Sequence, residues 1–279
     1  MMAAKDVIKK NGLVIWIDTE NSLDLTFLES FGIPRDKLVY IQLNTVEAMF
    51  ETLENIAKDI RENNTDQLVL MVVDSIAGLS TKAEVEGAVG DANFGIAARL
   101  LSQGLRKHII DFGKMRVCLL FTNQLRFNMK AAMFEDPLSA MYGGKAIPYY
   151  SSLLIKLSKS SKLKDEDKEI VGNQVLAKVI KNRLAPPFRS TYFECVYESG
   201  VSEISQILDE LKKMEIIKVG GAKYTWTAGP VKDSSFAKKD WVKLFNEPAI
   251  NKFIFETLAS KYILDIDRYV DADGVSARA

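Results

Sequence analysis

The chain has 279 residues, 47% of them hydrophobic, with 37 Lys+Arg balanced by 37 Asp+Glu. That length suits one large core plus a smaller domain, and the zero net charge excludes a globally basic nucleic-acid binder, leaving such contacts to local patches or backbone amides. No apolar run approaches the ~20 residues that span a bilayer. Met1-Met2-Ala3-Ala4-Lys5 lacks the apolar core of a signal peptide, and Cys118 and Cys195 sit in apolar, strand-like stretches that read as buried thiols. A cytoplasmic protein without a membrane partner is expected.

Strand-like and helical patterns alternate through about residue 125. Residues 13–18 read as a strand and 23–31 as a short helix. Residues 37–42 read as a second strand, followed by an amphipathic helix over 45–63 with Thr45 as N-cap. Residues 68–74 are near-continuously apolar, as a strand buried on both faces would be. A long helix over 93–112 and a fourth strand over 115–122 complete a βαβα rhythm that argues a parallel sheet covered by helices. Residues 125–144 have no clear period and read as a long loop.

From residue 151 strands dominate. Residues 152–158 and 173–181 flank a lysine-rich stretch, 159–168, that reads as a solvated hairpin connection, and 190–197 form a third strand. Gly200 marks a change to a small α+β unit: a helix over 203–214, a strand over 223–226 and two helical stretches after Ala237. The expected division is therefore a core over 1–200 and a C-terminal domain over 201–279, with a disordered tail over 271–279.

Three polar groups end three strands of the first region. Asp74 closes a buried strand, where open α/β sheets gather ligands; it either binds Mg²⁺ through water or caps the following turn with Ser75. Glu20, just past Asp18, is placed to polarise a water. Gln124 closes the fourth strand, and its amide can hydrogen-bond a terminal phosphate. Three such groups argue better together than any one. In the long helix Ala97, Leu101, Leu105 and Ile109 form the apolar stripe, and Arg99, Gln103 and Arg106 fall on another face, which is either solvated or functional. His108, the single histidine, reads as structural. Lys181 and Arg183, two apart at a strand end, either clamp a phosphate or guard an exposed edge. No G-x-x-x-x-G-K-[ST] stretch, the loop whose amides and lysine hold nucleotide phosphates, occurs in the sequence.

Together these segments resemble the RecA-type recombinases, including the phage-encoded (UvsX-like) branch. The resemblance runs from about residue 15 to 201. It is carried by IDTENSLD (17–24), by VVDSIAGLSTKAEVEGAVGDANFGIAARLLSQGLRK (72–107), by FTNQLR (121–126), by YGGKA (142–146) and by VIKNRLAPPF (179–188). It implies a RecA-like α/β core, ATP and Mg²⁺ as cofactors, and single- and double-stranded DNA and further copies in a filament as partners.

By the resemblance Glu20 activates water, Asp74 is the Mg²⁺-associated acid, Ser75 lies beside it, and Gln124 senses the γ-phosphate. Asp24 and Phe27 contact the adenine, while Lys181 and Arg183 reach a neighbour's ATP. It makes 86–94 the first DNA-binding loop (Glu86, Gly87, Gly90, Phe94) and 125–144 the second (Arg126, Gly143, Gly144), with Lys145 beside it and Arg99, Arg106 and Lys107 supporting single-stranded DNA. Pro148 and Arg183 stand where the family commonly has lysine. The family's phosphate loop and first core strand have no counterpart here, and residues 3–10 resemble the end of the helix that follows them. A separate fragment carrying that loop is therefore expected as a partner. The alternative is a non-catalytic DNA-binding or filament-modulating relative that has lost ATP turnover.

Overall fold

A computed structural model of the chain describes residues 1–63, 66–88, 95–126, 140–165, 167–197, 200–202 and 204–262. The chain divides into two compact units, Met1–Ser151 and Ser152–Ala279. The boundary expected after residue 200 falls inside the second unit, where a short strand at Gly200–Ser202 pairs antiparallel with Ser190–Val196.

The first unit runs α1 (Met2–Lys9), β1 (Leu13–Asp18), α2 (Leu25–Ser30), β2 (Leu38–Gln42), α3 (Val46–Asn63), β3 (Val69–Asp74), α4 (Lys82–Glu86), α5 (Ile96–Lys114), β4 (Val117–Phe121), β5 (Leu125–Arg126), β6 (Ala140–Met141) and α6 (Ala146–Tyr150). Strands β2-β1-β3-β4 form one parallel sheet in that order. Successive side chains of a strand point to opposite faces, and both faces here are covered. Ile15, Ile17, Val69, Met71 and Val73 join Met49, Phe50 and Leu53 of α3 and Leu101, Leu105 and Phe112 of α5 in one cluster. Val14, Trp16, Leu70 and Val72 pack with Ala4 of α1 and Leu28 of α2 in another. The near-continuous apolar runs of β1 and β3 follow from this double burial.

Thr45 caps α3 as expected, its Oγ1 accepting from the Ala48 N–H at 3.3 Å. The buried stripe of α5 is Ala97, Leu101, Leu105, His108 and Phe112. His108 therefore takes the place expected for Ile109, which is only half-buried, and stacks between Phe50 and Phe112. Cys118 corrects another expectation. It is exposed on β4, at the end of the parallel sheet, and Cys195 is only half-buried. Within the expected loop over 125–144, β5 and β6 pair, Leu125 with Met141 and Arg126 with Ala140, and residues 142–144 form a turn.

The second unit opens with an antiparallel sheet, β7 (Leu153–Lys164), β8 (Ile170–Asn182), β9 (Ser190–Val196) and β10 (Gly200–Ser202). The expected hairpin connection over 159–168 is mostly strand, since β7 and β8 stay paired out to Lys164 and Ile170. Lys156, Lys159, Lys162 and Lys164 do not break the ladder, because the backbone makes the pairing. Beyond it lie α7 (Ile204–Lys213), the three-stranded sheet β11 (Ile217–Gly220), β12 (Lys223–Trp226) and β13 (Ser235–Ala237), then α8 (Trp241–Phe245) and α9 (Pro248–Tyr262). Trp226, Phe236 and Trp241 form its aromatic core. The tail over 271–279 lies outside the described residues.

Candidate functional site

The carboxyl ends of β1, β3 and β4 lie side by side, because β1 and β3 pair in register up to Asp18 opposite Asp74 and β4 pairs with β3 up to Phe121 opposite Val73. The chain leaving each strand carries polar groups, and they meet. Glu20 Oε1 accepts from Ser75 Oγ at 2.5 Å and from Gln124 Nε2 at 3.3 Å. Asp74 Oδ1 accepts from Thr122 Oγ1 at 2.7 Å. Thr19 locks the first two segments together: its hydroxyl donates to the Ser75 carbonyl at 2.6 Å and accepts from the Ser75 N–H at 3.0 Å. The Asp74–Ser75 peptide is cis. Gly78 faces this junction, where a Cβ would lie 2.6 Å from Thr19 Oγ1 and 3.1 Å from Glu20 Cγ, so only glycine admits the approach.

Beneath Glu20 is a group that pattern reading passed over. Asp18 is 2% exposed. One of its oxygens accepts from the Glu20 N–H at 3.0 Å, and the other from the Leu23 N–H at 3.0 Å and the Tyr40 hydroxyl at 2.9 Å. Burial alone would raise its pKa. The donors from Leu23, Tyr40, Glu20 and Asn21 outweigh that and hold it below the usual carboxylate range. Burial and the Asp18 carboxylate in turn push the Tyr40 phenol up. A carboxylate ending an otherwise apolar strand is the signal that could have found it.

The remaining expected site residues are placed as follows. Asp24 is the N-cap of α2, accepting from Thr26 N–H at 2.8 Å and Phe27 N–H at 3.4 Å, and Phe27 is exposed with its ring edge-on to Phe31. Glu86 ends α4 and Gly87 is its C-cap, both exposed; Gly90 and Phe94 lie outside the described residues. Arg99, Arg106 and Lys107 are exposed on α5, with the Lys107 ammonium 3.8 Å from Glu54 of α3. Arg126 lies over the Tyr142 ring at 5.9 Å. Gly143 and Gly144 both have positive φ (83° and 66°), and Lys145 is the N-cap of α6. Lys181 and Arg183 belong to the second unit, at and just past the end of β8; burial and the neighbouring Arg183 charge lower the Lys181 pKa.

Asp74, Ser75, Glu20 and Thr122 offer carboxylate and hydroxyl oxygens, the hard donors that suit Mg²⁺, so these residues fit such an ion. No G-x-x-x-x-G-K-[ST] cradle for phosphates occurs among the 279 residues.

A doubly covered parallel sheet with acids, hydroxyls and an amide gathered at the carboxyl ends of three strands defines an α/β ligand-binding core of the doubly wound kind. The chain belongs to the RecA family: residues 1–202 match the family described as the RecA N-terminal domain. It is 36% identical over 218 residues to a protein named Protein RecA from Syntrophus aciditrophicus, covering 78% of this chain and 61% of that one. It is 32% identical over 264 residues to Protein RecA of Nautilia profundicola, covering 95% of this chain and 73% of that one. With Protein RecA of Desulforapulum autotrophicum the figures are 35% over 224 residues, 80% and 62%. The chain thus spans about three-fifths of the length of the first and third of these relatives. No helix among the described residues is long and apolar enough to cross a membrane.

Proposed function

We propose that this chain is a RecA-type recombinase subunit or fragment that binds single-stranded DNA in a homo-oligomeric filament and promotes homologous pairing and strand exchange with ATP and Mg²⁺. The observation that carries the reading is Glu20 held between the Ser75 hydroxyl and the Gln124 amide at three adjacent strand ends. The proteins named RecA that it resembles support the same activity. Its finer placement in the phage-encoded branch rests on the segments quoted above.

In this reading Asp74 and Ser75 hold Mg²⁺, which when bound would offset the charge of the triphosphate. Glu20 orients a water and takes its proton, the role of a general base within hydrogen-bond reach. Gln124 exchanges its bond to Glu20 for one to the terminal phosphate, and so reports whether that phosphate is present. Asp24 and Phe27 face the base, and Lys181 and Arg183 approach a neighbouring copy's nucleotide. By the resemblance, Phe94, Arg99, Arg106, Lys107, Arg126 and the amides of Gly87, Gly90, Gly143 and Gly144, with Glu86 and Lys145, would contact single-stranded DNA. Such contacts work by backbone amides and a few cations rather than by net charge.

The test is ATP hydrolysis by the 279-residue chain with single-stranded DNA, alone and with a separately made polypeptide carrying a glycine phosphate loop. Little turnover is expected alone. Turnover should appear on mixing and vanish in Glu20→Ala, because general-base assistance is worth about 10²–10⁴ in rate. Robust turnover by the chain alone would overturn the need for an outside cradle. Filaments restored without hydrolysis would favour the non-catalytic, filament-modulating reading.

A further inference from the structure

Two segments leave the site: one from β3 through Ser75 and a 3-10 turn at Ile76–Gly78 to Leu79, the other from β4 through Thr122 and Asn123 to Gln124. They are tied together close to the site, where Ile76 N–H donates to the Thr122 carbonyl at 3.1 Å. They are tied again further out through one residue, Tyr142. The Tyr142 hydroxyl donates to the Leu79 carbonyl at 2.5 Å, while the Tyr142 carbonyl accepts from Asn123 Nδ2 at 3.0 Å. Asn123 Oδ1 in turn accepts the Gln124 N–H at 2.9 Å. Tyr142 therefore holds the β3 segment through its phenol and the β4 segment through its backbone.

Its own position is fixed from behind. Gly143, at φ 83°, presses the turn against α5 so closely that a Cβ would lie 2.8 Å from Leu101 Cδ1 and 3.1 Å from Ile147 Cγ1. Arg126 covers the ring at 5.9 Å. Burial, with the nearby Glu84 charge, pushes the phenol's pKa up, so the hydroxyl keeps its proton and remains a donor at neutral pH.

We infer that Tyr142 is a positioning residue whose phenol braces the β3 exit against the β4 exit, so that Gln124 and the Ser75–Leu79 turn respond to ligand as one body. The inference rests on the reading of Glu20 and Gln124 given under Proposed function. It adds a residue outside that hydrogen-bonded group, and it identifies the path by which a change at Gln124 reaches the segment that enters α4. Coupling of this kind needs an element that both ends bias.

The test uses Tyr142→Phe in the full chain, which removes the hydroxyl and leaves the ring under Arg126. Amide hydrogen exchange is followed at Ile76, Gly78, Leu79 and Gln124, first without ligand and then with an oligo(dT) of about 36 nucleotides, a length chosen to exceed several binding sites. Without ligand, exchange at both segments should quicken together by about fivefold, the factor set by one lost hydrogen bond. With oligo(dT), wild type should show added protection at both segments. Tyr142→Phe should bind comparably but show protection at one segment only, which a merely structural role would not produce. Unchanged exchange without ligand, or protection that still spreads to both segments in the variant, overturns the brace. Absence of oligo(dT) binding by wild type counts against the recombinase reading, and the ligand-free arm still decides the brace.

Discussion

The two larger sheets of this molecule use their residues in opposite ways. In the parallel sheet, Ile15, Ile17, Met71 and Val73 are all 0% exposed, and the carboxylates of β1 and β3, Asp18 and Asp74, stand only where those strands end. In the antiparallel sheet β7 leaves Leu153 (48%), Ile155 (46%) and Leu157 (57%) exposed at alternating positions, and lysines run along its length. A strand buried on both faces can carry function only at its tips, whereas a half-solvated strand can carry it along a face. This explains why the hydrogen-bonded site is small and sits at strand ends.

The largest effect should separate these sheets directly. Met71→Ala removes a side chain packed on all sides and should cost about 2–5 kcal/mol, while Leu157→Ala in β7 should stay within about 0.5 kcal/mol. Urea denaturation of the otherwise unaltered chain, followed by far-UV circular dichroism, which reports on both sheets, checks the contrast. Equal losses for the two variants would break the comparison. Next in size is overpacking. A methyl at Gly104 of α5 would overlap the Phe50 ring of α3, so Gly104→Ala should destabilise by about 1–3 kcal/mol. Gly220→Ala in β11, where a Cβ meets nothing within 4 Å, should be near neutral. Thermal midpoints of the two variants, compared with wild type, check the contrast.

Much of the parallel sheet was legible in the sequence, because a doubly buried strand has to be a continuous apolar run. β1, β3 and the helices between them fall within a few residues of where periodicity puts them. The stripe of α5 was misread at one step, since an imidazole stacked between two phenylalanine rings is apolar in use and polar in name. The reach of β7 and β8 was underestimated for a related reason: lysine marks solvent, and solvent is compatible with a ladder held by backbone. Glu20, Asp74 and Gln124 could be singled out because each follows a strand. Asp18 offers the same signal, as the carboxylate that ends an apolar strand; Tyr40, Thr122 and Tyr142 offer none. Their roles depend on which strands become neighbours, and the order β2-β1-β3-β4 is a property of the folded sheet.

The Asp18 network gives a pH test at the acid end. Asp18 is held below the usual carboxylate range in the folded chain, so its ionised form is favoured by folding. Its contribution is complete above the ordinary carboxylate pKa and is lost as pH falls through the depressed folded value. Asp18→Asn should lower stability near neutral pH and flatten the decline in acid; Tyr40→Phe, which removes one of the donors, should do the same to a smaller degree. Urea midpoints measured across the acid range check this, and an Asp18→Asn curve parallel to wild type would show that the carboxylate is not held by these donors.

His108 should give the smallest effect, in a different window. Burial between Phe50 and Phe112 lowers its pKa from 6.5, against the attraction of Glu54, whose Oε2 lies 3.4 Å from Nδ1. The folded chain therefore favours the neutral ring. That contribution is fully present above the ordinary histidine pKa of about 6.5 and declines as pH falls from there toward the lower folded value. His108→Phe keeps the stack and removes the titration, so the wild-type urea midpoint should fall relative to that of His108→Phe as pH drops from about 7.5 to about 5.5. A wild-type midpoint that rises relative to that of the variant would mean that Glu54 prevails over burial and that the imidazole is held as its cation.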